Sequence, residues 1–152
     1  MTAALLHFED FPVGETVTYG DYALTREAIL EFAGEYDPQP FHLDETAAKA
    51  SLLGGLAASG WHACAIMMRL NCDGFLLKAT AMGAPGIDEV RWLAPLRPGV
   101  ALSVRRTALE ARPSRSRPEM GLVKFLFELL ADGEAVVMTQ TCSIMFGRRQ
   151  AA

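Results

Sequence analysis

The stretch Ala58–Gly74, "ASGWHACAIMMRLNCDG", decides the fold. From Trp61 to Leu70 its only full charge is Arg69. A helix that is apolar almost all round is expected to be buried. Gly60 stands at its start and Gly74 at its end. The rest of the chain must therefore cover this rod.

Downstream, the cover reads as strands. "IDEVRWLAPL" (87–96) lies between Gly86 and "RPG", and "ALSVRRTALEAR" (101–112) follows. In "GLVKFLFELL" (121–130), Val123, Phe125, Phe127 and Leu129 share one face, with Lys124 and Glu128 on the other. "ADG" (131–133) is a turn with Asp-Gly at its heart. In "AVVMTQTCSIMF" (135–146), Val137, Thr139, Thr141 and Ser143 face one way and Cys142, Ile144 and Phe146 the other. Adjacent strands joined by tight turns predict an antiparallel sheet.

Upstream, "ETVTYGDYAL" (15–24) has strand composition. Thr25 then N-caps a helix, Glu27 complements its dipole, and Leu24 and Ile29 form a hydrophobic staple. Ala28, Ile29, Phe32 and Ala33 make its apolar stripe, and Gly34 is expected to end it. "DETAAKASLLGG" (44–55) reads as a second helix closed by glycines. One strand, a buried helix and about four antiparallel strands make an α+β domain, its sheet curled around the helix. Periodicity alone does not separate this from other α+β folds.

The chemistry lies just before that helix, in "YDPQPFH" (36–42). Asp37 and His42 can polarise one water between them, and Pro38 and Pro40 stiffen the intervening backbone. Gln39 offers an amide to the loop or to a ligand. By residue type alone, Asp37 reads as a turn residue and His42 as a packing histidine before a catalytic pair. Gly60 opens the central helix, whose first amides lack internal partners and carry partial positive charge. Such amides suit a carbonyl oxygen that gains negative charge, although Gly60 alone reads first as a plain helix start. His62, on the first turn, reads as a packing residue before a base.

Together "YDPQPFHLDE" and "GGLAASGWHA" resemble the MaoC-like (R)-specific enoyl-CoA hydratase and acyl dehydratase family, over nearly the whole of residues 1–152. Its loop pattern, D-x-N-P-x-H-x-D, falls on Asp37, Pro40, His42 and Asp44. The resemblance implies a hot-dog fold and a hydro-lyase that adds water to a 2-enoyl thioester, or removes it from an (R)-3-hydroxyacyl thioester. It implies Asp37 and His42 as the catalytic pair and the Gly60 amide as the oxyanion donor. It needs no metal or redox cofactor, since coenzyme A or a pantetheine arm enters as part of the substrate. It also implies a homodimer or higher homo-oligomer. This chain departs from the pattern: Gln39 replaces an Asn, Ser59 replaces the histidine of "HGM", and Met68 replaces a helix serine. Gln39, Ser59 and Trp61 join Gly60 as candidate substrate-binding residues, and Met67 or Met68 as candidate pocket walls.

Bulk properties bound the alternatives. The 152 residues are 51% hydrophobic and 21% charged, with a net charge of -4, which argues against a general nucleic-acid binder. Arg105, Arg106, Arg112, Arg115 and Arg117 form a local basic cluster, readable as a nucleotide grip or a solvated hairpin tip. No signal peptide or membrane-spanning run is read, and Cys64, Cys72 and Cys142 read as buried free thiols of a cytoplasmic protein. A hot-dog thioesterase and a non-catalytic acyl-thioester-binding module are the rivals. The absence of a carboxylate from Gly60 to Leu70 counts against the first.

Overall fold

The computed structural model describes residues 3–150. After a short 3-10 turn at Phe8–Asp10, the elements run β1 (Thr16–Ala23), α1 (Arg26–Tyr36), α2 (Pro40–Leu43), α3 (Glu45–Lys49) and α4 (Gly60–Gly74). A second 3-10 turn, Leu76–Lys78, leads to β2 (Ala81–Gly83), β3 (Glu89–Trp92), β4 (Ala101–Pro113), β5 (Met120–Ala131) and β6 (Ala135–Gly147). The strands form one antiparallel sheet in the order β1-β4-β5-β6, with β2 and β3 both on the outer edge of β6.

The alternation expected of β5 is observed: Val123, Phe125, Phe127 and Leu129 are buried, while Lys124 and Glu128 are not. The β5–β6 turn uses left-handed backbone at Asp132 (φ 52°) and Gly133 (φ 76°), as an Asp-Gly turn requires. The inward residues of β4, β5 and β6 join one core with Ile66, Met67 and Leu70 of α4. Burying each of these three large side chains contributes roughly 2 kcal/mol. Gly20 (φ 94°) breaks the register of β1 and lets Leu70 sit against the strand; a Cβ there would lie 2.9 Å from Leu70 Cδ2.

Several expectations need correction. Helix α1 passes through Gly34 and ends at Tyr36, because its C-terminal turn is closed by the Asp37 N–H donating to Ala33 O. Helix α3 stops at Lys49, and Ser51–Gly55 is a chain of turns. Strand β3 spans only four residues of the run from 87 to 96, and β2 had no sequence signal. Helix α4 buries Ala63, Ile66, Met67 and Leu70 but leaves Trp61, Ala65 and Met68 exposed, so one of its apolar faces is uncovered within the chain. The cysteines are unpaired, but only Cys142 is buried; Cys64 and Cys72 are half-buried.

Candidate active site

Three helix ends fix the acid–imidazole loop. Asp37 caps the C-terminus of α1, Pro40 opens α2 at a position that needs no N–H, and Asp44 caps α3 by accepting from Ala47 N at 2.7 Å. His42 thereby points into the protein and is 7% exposed. Its Nδ1 lies 2.8 Å from Ala57 O. A carbonyl only accepts, so Nδ1 carries the proton and Nε2 is the free basic atom. Nε2 faces Asp37 Oδ2 at 3.4 Å.

Both Asp37 oxygens are held from behind. The Ser59 hydroxyl donates to Oδ2 at 2.6 Å, and the Gln39 amide donates to Oδ1 at 2.7 Å. Ser59 also N-caps α4, accepting from Trp61 N at 3.3 Å. The Ser59 hydroxyl, then the Gln39 amide and the facing His42, hold the Asp37 carboxyl below the usual carboxylate range, against the opposing effect of burial. Asp37 is therefore ionised at neutral pH.

These groups open on a cavity of about 430 Å³. Asp37, His42, Gly60 and Trp61 all line it, so four of the six candidate residues meet there. Gln39 and Ser59 do not line it; both act on Asp37, and Ser59 is fully buried. Met67 is core and Met68 faces outward, so neither narrows the cavity. His62 is also away from it, buried and stacked on Phe32 with ring centroids 4.5 Å apart. Burial pushes its pKa down, which keeps it neutral.

Trp92 and Met138 also line the cavity, and neither carries a local sequence signal for that role. The Trp92 indole N–H donates to Gly60 O at 2.9 Å. Its ring lies where a Cβ on residue 60 would be, 2.5 Å from that position at Cε2. Gly60 is therefore required first by Trp92. The signal was out of reach because it joins residues 32 positions apart.

The basic cluster divides. Arg105 makes a two-pronged pair with Glu128, both bonds 2.9 Å, and Arg106 is buried over the Phe11, Phe75 and Phe125 rings. Arg112, Arg115 and Arg117 are exposed at the β4–β5 hairpin. Met138 at the cavity pairs with Leu129, whereas the hairpin pairs Pro113 with Gly121. Eight residues of strand, about 26 Å, separate the two within one chain. Among the described residues, no group of three or more His, Cys, Asp or Glu side chains is arranged to hold a metal ion.

A central helix wrapped by an antiparallel sheet agrees with the comparisons to known proteins. The MaoC-like domain matches residues 10–124. The chain belongs to the MaoC-like dehydratase family. A MaoC-like dehydratase of Rhodospirillum rubrum is 44% identical, over 96% of this chain and 99% of that one, with a TM-score of 0.89. The (R)-hydratase PhaJ1 of Pseudomonas aeruginosa shares the fold at 18% identity and a TM-score of 0.75, over 95% of this chain and 88% of that one. An uncharacterized Bacillus subtilis protein, YdeM, is 24% identical over 94% of this chain and all of its own length. The fold of this MaoC-like dehydratase domain is thus the hot-dog fold, as the resemblance implied.

Proposed function

We propose that this protein adds water to a trans-2-enoyl thioester to give an (R)-3-hydroxyacyl thioester, and catalyses the reverse dehydration. The observation that carries this reading is the convergence of ionised Asp37, the basic Nε2 of His42 and the Gly60 end of α4 on one apolar cavity. Asp37 and His42 hold one water between them. As the water oxygen bonds to C3, Nε2 takes its proton and the C2–C3 π pair moves toward the thioester oxygen. The imidazolium, stabilised by Asp37 beside it, then returns the proton to C2. The Gly60 amide, at the positive end of α4, faces the thioester oxygen as it gains enolate character. Coenzyme A or a carrier protein's pantetheine enters as part of the substrate, and no cofactor takes part. The unpaired cysteines suit a reducing cytoplasm.

The uncovered face of α4, with Trp61, Ala65 and Met68, and the unpaired edge of β3 fit a second copy of the chain. Light scattering on the purified protein is expected to give a dimer or higher homo-oligomer.

The reading is tested by mixing the protein with crotonyl-CoA. Loss of the conjugated-thioester absorbance without free thiol is expected. Release of free thiol would assign a thioesterase, and no change with any enoyl-CoA would leave a binding module.

A further inference from the structure

The substrate-facing wall of the cavity carries one sign of charge. Asp37 is its only ionised carboxylate, and no Lys or Arg lines it among the described residues. Arg97 and Arg91, on the elements beside it, have partners of their own. Arg97 donates to the carbonyls of Leu53 and Leu56, the Leu56 bond at 3.3 Å, and so braces the loop that forms one side of the cavity. With Lys49 it borders a separate depression. Arg91 pairs with Glu89 on the exposed side of β3.

The same cavity is bounded on one side by aromatic rings. Its volume of about 430 Å³ must take both the acyl group and the end of its carrier arm. The Trp92 ring is pinned to Gly60 by its N–H, and Trp61 meets it edge-to-face at 5.5 Å. Trp92 thus stands on the cavity wall beside Gly60, where the oxyanion role proposed for Gly60 puts the thioester.

We propose that the site accepts short, uncharged 2-enoyl groups, rejects acyl groups bearing a second carboxylate, and uses Trp92 as the wall that limits chain length. A second carboxylate would leave water for an apolar cavity that already holds Asp37 and to which this chain's described residues contribute no Lys or Arg. This rests on the hydratase reading, so its test includes a measurement without turnover.

Hydration of crotonyl-CoA, trans-2-octenoyl-CoA and mesaconyl-CoA is compared, together with calorimetric binding of butanoyl-CoA and succinyl-CoA. Crotonyl-CoA is expected to exceed mesaconyl-CoA about a hundredfold in kcat/KM, and butanoyl-CoA to bind roughly tenfold tighter than succinyl-CoA. Trp92→Ala is expected to raise the octenoyl-to-crotonyl ratio of kcat/KM about tenfold. Trp92→Leu serves the same end if the alanine variant fails to fold. Mesaconyl-CoA used as well as crotonyl-CoA, or succinyl-CoA bound as tightly as butanoyl-CoA, overturns the charge selection. An unchanged chain-length ratio in a folded Trp92 variant overturns the wall. If no enoyl-CoA is hydrated yet butanoyl-CoA still binds the tighter, the reaction assignment fails while the charge selection of the cavity stands.

Discussion

The two ends of α4 are built from the same parts and put to different ends. At each, a glycine is pressed by an aromatic ring: Gly60 by Trp92, and Gly74 by Tyr19, whose Cδ2 lies 2.3 Å from a Cβ position. At each, a buried polar group pairs closely with a half-buried one: Ser59 with Asp37 at 2.6 Å, and Asn71 with Tyr19 at 2.6 Å. At the C-terminal end the charge is Arg106, sealed among three phenylalanine rings with Glu15 at 3.6 Å. At the N-terminal end the charge is Asp37, which lines an open cavity. Buried polar groups therefore do not mark the site by themselves; access to a ligand-sized space does.

That contrast is broken most forcefully at Asp37 and His42. Asp37→Asn and His42→Ala are each expected to lower kcat/KM for hydration about a thousandfold with the fold retained by circular dichroism. At the other end, Arg106→Ala is expected to cost about 3 kcal/mol in chemical denaturation, since it removes packing from three rings and strands Glu15, with little change in kcat. The glycines sharpen the comparison. Gly60→Ala and Gly74→Ala should each destabilise by about 2 kcal/mol, because each Cβ displaces a ring. Only Gly60→Ala should also depress kcat/KM, since it moves Trp92 in the cavity; equal activity in the two variants would remove the functional distinction.

The smallest effect lies at Ser59. Ser59→Ala removes the N-cap of α4, worth about 1 kcal/mol, and the leading cause of the lowered Asp37 pKa. A depressed carboxyl pKa contributes stability that is present above the ordinary carboxylate value and lost as pH falls through the folded value. With Ser59→Ala the Asp37 pKa rises. Both the acid limb of the kcat/KM profile and the acid-unfolding midpoint should then move to higher pH. Ser59→Thr keeps the hydroxyl and should restore the limb.

Much of this was legible in the sequence because it is local or periodic. The period-two pattern of β5, the Thr25 cap and the stiffened Asp37–His42 loop each need only neighbouring residues. The Gly60 start of α4 was likewise readable. What escaped depends on partners far along the chain. Ser59 was expected at the substrate, yet its hydroxyl turns to Asp37, 22 positions earlier. Arg106 sits in a basic run but alternates inward on β4 between half-buried neighbours, Arg105 and Thr107. Strand β2 spans three residues, too few for a pattern, and exists because β6 offers an edge.

The central claim is that one acid–imidazole pair, on one face of the enoyl plane, supplies both the oxygen and the proton. Hydration of crotonyl-CoA in deuterated water, with the product resolved by NMR, tests it most directly. A single diastereomer of the (R)-3-hydroxy product, labelled at C2 by syn addition, is expected. Anti addition, or a mixture of C2 epimers formed at the enzyme, would contradict it.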